Sequence, residues 1–169
     1  GASAFQDCKA LTSLLLPEDV KTIGASAFEN CTALKKVTFN TNLKTIGDSA
    51  LKGCTGLTTL DIKKNVDTIE EDAFAACSAL TKVTIRSYNS KTGLSTVKIA
   101  ETAFPDKKAN LTMGGYDGTV EEYAGVMRYT FSRMGMHSVN CKVSDDSTRS
   151  GKIASSVKKA AEGETVYIT

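Results

Sequence analysis

The sequence predicts an α+β solenoid, a fold in which short units of similar sequence stack and share one hydrophobic core. The chain of 169 residues is 41% hydrophobic and 24% charged, which is typical of a folded domain. Residues recur every 23 positions, as cysteines at Cys8, Cys31, Cys54 and Cys77 and as leucines at Leu11, Leu34, Leu57 and Leu80. A unit of this length cannot bury its own apolar face, so a core forms only where neighbouring units stack.

Each unit is predicted to contribute one short strand to a parallel β-sheet. In the second unit, Leu34, Val37 and Phe39 are spaced so that they point inward from such a strand. The equivalent residues in the other units are Leu11, Leu14 and Leu16, then Leu57, Leu60 and Ile62, then Leu80, Val83 and Ile85. A second apolar pair follows in each unit, for example Leu43 and Ile46.

The Ala-Phe pair of each unit, such as Ala27 and Phe28, is predicted to begin a short helical turn that ends near the cysteine. The residues at the Phe position are expected to stack as an inner column: Phe5, Phe28, Leu51, Phe74 and Phe104.

The repeat cysteines are predicted to be free, buried thiols. Each unit supplies one cysteine, whereas zinc sites use cysteines separated by two to four residues. Stacked side chains point the same way, so a disulfide between neighbours would need an unfavourable S–S torsion. Free cysteine is among the most buried residue types. A metal site or disulfides remain the alternatives.

The pattern I-G-x-x-A-F-x-x-C-x-x-L-x-x-V-x-I, followed closely from Ile23 to Phe39, resembles the BspA-like leucine-rich repeats of bacterial surface proteins. The similarity covers residues 1–104, and Lys107 stands where the fifth unit should have its cysteine, so the regular array is expected to end there. The resemblance implies an extracellular or surface-anchored, non-catalytic module for adhesion or protein–protein contact. Because the sequence begins within a repeat unit, we interpret it as a fragment or processed form of a longer protein.

The fourth unit carries an insertion. The interval from Ile69 to Ile99 is 30 residues rather than 23, and the extra residues lie around 86–94. Loops of this kind often carry function, and Tyr88 is the best candidate for a binding anchor because aromatic residues are enriched at binding hot spots. A tolerated insertion without function is the alternative, since lengthening a surface loop costs little.

Residues 105–136 are predicted to cap the array. Leu111–Met113 reads as a last strand, and Thr119 with Glu122 forms a capping box at the start of a helix that Gly135 would stop. One face of this helix is apolar: Val120, Tyr123, Met127, Phe131 and Met134. The segment GYDGTVEEYA resembles the terminal element that follows such arrays, which implies a cap; a methionine-rich partner groove is the alternative.

Residues 137–169 read as a β-rich tail or the start of a further domain. Two segments, SVNCKV and ETVYIT, alternate in the manner of strands. The end of the chain resembles the opening of β-rich repeat modules of bacterial surface proteins. Pairing of this tail with another chain is one interpretation.

Several function classes are disfavoured by the sequence. The net charge of +2 predicts neither nucleic-acid nor anionic-membrane binding, and no apolar run reaches the ~20 residues of a membrane-spanning helix. No phosphate-binding loop or metal motif is found, and His137 and Cys141 lack an activating context. We therefore expect no enzymatic activity, no cofactor and no metal.

The outward residues of the strands are the candidate binding surface, with Tyr88 at its rim. These residues are Lys36, Thr38, Thr59, Asp61, Lys82, Thr84 and Arg86. The expected partner is a protein or glycan of the host or of a neighbouring cell, bound across a shallow surface that lacks an aromatic cluster for a sugar ring. A merely solvated face, a passive spacer and an accessory module of a secreted hydrolase are the alternatives.

Overall fold

The computed structural model describes residues 1–89, 91, 94–105, 111–116, 119–127 and 130–134, and Gly1–Met134 form one compact unit. The β-rich tail predicted for residues 137–169 lies outside the described residues. In chain order the elements are β1 (Ser13–Leu15), β2 (Thr22–Ile23), β3 (Lys36–Thr38), β4 (Thr45–Ile46), β5 (Thr59–Ile62), β6 (Thr68–Ile69), β7 (Lys82–Ile85), β8 (Lys98–Ile99), β9 (Thr112–Gly115), α1 (Thr119–Val126) and β10 (Thr130–Arg133).

The longer strands are parallel and pair in the phase that the repeat predicts. Strand β1 pairs with β3, and β5, β7, β9 and β10 pair in that order. Ser13 lies opposite Lys36, and Thr59 lies opposite Lys82, so the register follows the 23-residue repeat. The leucine-rich repeat fold with parallel strands is thereby confirmed. Within the described residues, β3 and β5 are not joined by ladder pairing, and the sheet is interrupted there.

A second parallel sheet, which the sequence did not predict, consists of the two-residue strands β2, β4, β6 and β8. Its inward residues are the apolar positions Ile23, Ile46 and Ile69, all buried. The other residue of each strand, such as Thr22 or Thr45, points away from the core and is more exposed. Of the second apolar pair in each unit, the isoleucine is therefore the inward residue of a short strand, whereas its partner, such as Leu43, precedes the strand.

The third side of each unit is a chain of tight turns rather than the predicted helical turn. Residues with positive φ recur in it, including Ser26 at 52° and Asn30 at 57°. This left-handed backbone prevents a right-handed helix from propagating. It also directs N–H groups to the neighbouring unit, as where Phe28 N donates to Ala50 O at 2.8 Å.

The predicted inner column is confirmed for Phe28, Leu51, Phe74 and Phe104, which are at most 5% exposed. The rings of Phe74 and Phe104 stack with their centroids 5.0 Å apart. Phe5 stacks on Phe28 at 5.2 Å but is 50% exposed, because it belongs to the first unit of the chain and is covered on one side only.

The repeat cysteines are free thiols, as predicted, and Cys31, Cys54 and Cys77 are buried whereas Cys8 is partly exposed. Each buried thiol donates to a carbonyl oxygen of the preceding unit. Cys31 Sγ lies 3.1 Å from Phe5 O, and Cys54 Sγ lies 3.2 Å from Phe28 O. Burial raises the pKa of Cys54 from 9.0 to about 12, with smaller contributions from the neighbouring thiols. The thiols therefore act as neutral hydrogen-bond donors between units.

The prediction of one helix extending to Met134 is wrong. Helix α1 ends at Val126, and Phe131 lies in β10, which pairs in parallel with β9. Leu111–Met113 is accordingly not the last strand. The edge of β9 explains the change, since its backbone groups need partners: Leu111 O accepts from Thr130 N at 3.1 Å, and Gly115 O accepts from Met134 N at 2.8 Å.

Helix α1 packs closely on this end of the sheet. Val120 and Ala124 are fully buried, and the Tyr123 hydroxyl donates to Glu101 O at 3.0 Å. A Cβ added to Gly115 would lie 2.6 Å from Val120 Cγ1, so only glycine permits this approach. Thr119 is the first helical residue, and its hydroxyl donates to Ser95 O at 3.2 Å.

Candidate functional site

The predicted binding residues of the strands all point away from the core. Lys36, Thr59, Lys82 and Arg86 are exposed, and Thr38, Asp61 and Thr84 are partly exposed. They alternate with buried Val37, Leu60 and Val83, as period-two packing requires. We call these seven outward residues the sheet face. Its role in binding stays a prediction.

An open groove of about 440 Å³ crosses β3, β5 and β7. All seven residues of the sheet face line it, so the structure brings together side chains that lie up to 50 residues apart in sequence. The groove includes the interruption between β3 and β5, where Val37, Phe39 and Leu60 add apolar surface to its floor. Tyr88 does not line the groove.

A charge cluster lies in the middle of the groove. Asp61 Oδ1 accepts from Arg86 Nε at 2.6 Å, and Asp61 Oδ2 accepts from Lys63 Nζ at 2.7 Å. Burial opposes ionisation of Asp61, but the two hydrogen bonds outweigh it and lower its pKa. The carboxylate is thus ionised at neutral pH and holds Arg86 in place.

The sequence interpretation did not include Lys63. It directly follows β5 and is two residues from Asp61, so both side chains lie on the same side of the chain. With Lys36, Lys82 and Arg86 it gives four cations against one carboxylate in the groove lining. Within the described residues, Lys36 and Lys82 form no salt bridge. The groove is therefore net positive, although the chain as a whole carries only +2.

Tyr88 packs on Tyr116, which the sequence interpretation also missed. The ring centroids are 4.6 Å apart and the rings are tilted by 39°. The pairing of β7 with β9 ends at Thr84 opposite Gly114, and Arg86 and Tyr116 each lie two residues further along their chain segments. Burial raises the pKa of Tyr116, with a further increase from Tyr88 and an opposing effect of Arg86. The expectation that the face lacks an aromatic cluster is wrong at this end.

The inserted loop is held by its own backbone around Tyr88. Asn89 N donates to Leu94 O at 2.8 Å, and Lys91 N donates to Asn89 Oδ1 at 2.8 Å. Leu94 is 45% exposed, which is unusual for a large apolar residue of this chain. The two ends of the insertion are thus adjacent, and Tyr88 is fixed at one of them.

The described residues offer few signs of other chemistry. Among the described residues no three His, Cys, Asp or Glu side chains are grouped as a metal site would require. In the described segments no helix has the length and apolarity to cross a membrane. His137 and Cys141 lie outside the described residues. A second groove of about 490 Å³ lies at the other sheet and contains no residue of the sheet face.

Comparison with known proteins gives a family match over most of the chain. Residues 1–114 match the model described as BspA type Leucine rich repeat region in six copies, beyond residue 104 where the sequence interpretation ended the array. No curated protein matches the chain.

Three solved structures are similar. The first is a leucine rich cell surface protein from Faecalibacterium prausnitzii A2-165, with 30% identity, a TM-score of 0.50 and coverage of 59% of this chain and 28% of that one. The pneumococcal vaccine antigen PcpA shares the fold at 14% identity, with a TM-score of 0.56 and coverage of 80% and 38%. A leucine-rich repeat protein from Bacteroides ovatus ATCC 8483 has 18% identity, a TM-score of 0.39 and coverage of 68% and 51%. The chain thus spans about a quarter to a half of these proteins.

Proposed function

Because this chain belongs to the BspA-type leucine-rich repeat family, we propose that it is a non-catalytic recognition module of a bacterial surface protein. The partner is a protein of the host or of a neighbouring cell, and the sheet face is the contact surface. The cell-surface protein from Faecalibacterium prausnitzii supports an extracellular location. Within the chain, the unit Gly1–Met134 is the recognition part.

The observation that carries this proposal is the groove across β3, β5 and β7. Its lining combines lysines without salt-bridge partners in the described chain, a fixed Asp61–Arg86 pair, and exposed threonine hydroxyls. Charged groups on an open surface steer encounter and select partners. An acidic partner surface therefore fits the groove best.

We further infer that the units form a solenoid and that α1 with β10 caps its last unit. Support comes from the buried Val120, from Tyr123 stacked edge-on against Phe104 at 6.0 Å, and from the backbone bonds of β10 to β9. Without these elements the inner column and the edge of β9 would meet water. Terminal units of repeat proteins need such covers to stay soluble.

The test of the recognition proposal is a binding screen of the 169-residue chain against host matrix and cell-surface proteins. The charge-reversal variant has Lys36, Lys82 and Arg86 changed to Glu. A matched control reverses Lys9, Lys21 and Lys98, which are exposed but lie off the sheet face. Both variants change the net charge by the same amount, so long-range attraction is affected equally.

We expect the sheet-face variant to lose binding by at least tenfold, because three favourable contacts become repulsive. The control variant should lose only the part of the affinity that comes from long-range, salt-dependent attraction. Equal affinity of both variants would mean that the sheet face is not the site. A chain that binds no protein of the screen would instead be a spacer between other domains.

A further inference from the structure

One end of the sheet face carries an aromatic pair built from two distant segments. Tyr88 comes from the inserted loop and Tyr116 follows β9, and both rings are partly exposed. Their centroids lie 4.6 Å apart. Each ring buttresses the other, so the pair presents rigid apolar surface without losing side-chain entropy on binding. Such a surface suits the C–H face of a pyranose ring.

A guanidinium lies next to this pair. Arg86 directly follows β7 and Tyr116 directly follows β9, each two residues past the Thr84–Gly114 pair, and the charge of Arg86 opposes the rise in the pKa of Tyr116 that burial causes. Arg86 Nε donates to Asp61 Oδ1 at 2.6 Å. The remaining N–H groups of Arg86 make no hydrogen bond to another described residue. Because Asp61 is itself held by Lys63, the Arg86 side chain is anchored through Nε, and a ligand can approach its two terminal NH2 groups. Planar forks of this kind bind a carboxylate with two parallel hydrogen bonds.

Two hydroxyl-bearing residues lie on the strands that flank β9, close to these groups. Gly114 lies between Thr84 on β7 and Ser132 on β10 in the paired sheet. A Cβ added to Gly114 would make ordinary van der Waals contacts, the nearest at 3.5 Å with Ser132 O and another at 3.8 Å with Thr84 Oγ1, so glycine places no side chain between these neighbours at Gly114. The hydroxyls of Thr84 and Ser132 flank it and can both donate and accept hydrogen bonds.

We propose that Tyr88, Tyr116 and Arg86, which we call the tyrosine patch, bind a carboxylate-bearing pyranose at the end of a glycan. The tyrosines contact the ring, Arg86 binds the carboxylate, and the flanking hydroxyls contact the sugar hydroxyls. The inference rests on the proposed function in that it assigns a glycan site to the same surface-recognition module. Acidic peptides are bound by clusters of arginines, whereas this patch offers one guanidinium beside two rings.

The test is a titration of the 169-residue chain with 3′-sialyllactose and with lactose, followed by NMR or calorimetry. Sialyllactose should bind at least roughly tenfold more tightly than lactose, because a charge-assisted bidentate contact contributes on that order. Changing Arg86 to Gln should abolish this preference. Changing Tyr88 to Leu should weaken both sugars, whereas Tyr88→Phe keeps the ring and should retain binding. Lys21→Gln removes the same charge away from the sheet face and should change affinity less than about twofold.

Three results would overturn the inference. They are no detectable binding at a sialyllactose concentration on the order of 10 mM, equal affinity for both sugars, or an unchanged affinity for sialyllactose in Arg86→Gln. The urea denaturation midpoint of every variant shows whether that variant is folded. If Tyr88→Leu is unfolded, the affinities of Tyr88→Phe and Arg86→Gln are the test. A protein partner that is lost on reversal of Lys36 and Lys82, with no response to sialyllactose, would overturn the glycan site alone. Sialyllactose binding without any protein partner would instead overturn the broader protein-recognition role.

Discussion

Replacing Ala76 by glycine should stabilise the protein, although it removes a side chain. Ala76 has φ of 55° and is exposed, so its methyl group contributes little burial while its backbone is strained. The equivalent residues of the other units are Asp7, Asn30 and Gly53, all with positive φ. The fold therefore requires the left-handed conformation at this position whatever residue occupies it.

The size of the effect follows from two opposing contributions. A left-handed conformation costs an L-residue about 1–2 kcal/mol, which glycine relieves. Glycine also has more freedom in the unfolded chain, which costs about 0.4–1 kcal/mol. The variant Ala76→Gly should thus gain about 0.5–1 kcal/mol in the free energy of unfolding, the difference between those two contributions.

The neighbouring Ala75 supplies the matched control, because its φ is not positive. Ala75→Gly has no strain to relieve and should lose about 0.5–1 kcal/mol. Urea denaturation at 25 °C, with equal m-values, measures both. The reciprocal variant Gly53→Ala should be destabilised, since it adds the strain and brings its Cβ 2.5 Å from Asn30 Oδ1. If Ala76→Gly is as destabilised as Ala75→Gly, then the left-handed position is not the source of strain and the reasoning fails.

Three further predictions concern the helix contact and the thiols. Gly115→Ala should lose about 1–3 kcal/mol of unfolding free energy, measured by urea denaturation, because it overpacks against Val120. Gly114→Ala, whose Cβ would make only ordinary van der Waals contacts, should be neutral or slightly stabilised, and equal losses in the two variants would contradict the close helix approach. Alkylation at pH 8 without denaturant should modify Cys8 and leave Cys31, Cys54 and Cys77 unmodified, and rapid modification of Cys54 would refute its burial. Because folding raises the pKa of Cys54 from 9.0 to about 12, the contribution of this thiol to stability is complete below pH 9 and falls as pH rises towards 12. The melting temperature should therefore fall over this pH range, and Cys54→Ala should reduce the fall. An unchanged pH profile in Cys54→Ala would contradict the raised pKa.

The sequence predicted those parts of the fold that depend on periodicity. A 23-residue repeat with inward Leu34, Val37 and Phe39 requires a core of stacked units, and the structure has one. The short strands around Thr45 and Ile46 were missed because two residues are too few to show alternation. The predicted helical turns were wrong because the left-handed residues in them are serine, asparagine, aspartate and alanine, which carry a weaker signal than glycine.

The candidate site divides along the same line. Alternation along a strand is enough to predict that Lys82 and Thr84 face outward. The Asp61–Lys63–Arg86 cluster depends on side-chain reach between neighbouring strands, which spacing does not give. The contact of Tyr88 with Tyr116 depends on the path of the inserted loop and on the register of β7 with β9. The extent of α1 was overestimated because Phe131 and Met134 fit a helical face as well as a strand.

The main-chain bonds between the turns of adjacent units have a consequence for how such arrays evolve. Phe28 N bonds to Ala50 O and Leu51 N bonds to Ala73 O, both at 2.8 Å, so this link uses groups that every residue other than proline possesses. The thiol bonds likewise end on carbonyl oxygens rather than on side chains. A duplicated unit can therefore form these main-chain hydrogen bonds with any neighbouring unit, and gene duplication can lengthen the array without a new side-chain interface. The outward residues of each copy are then free to diverge, which lets selection alter what the surface recognises while the framework stays the same.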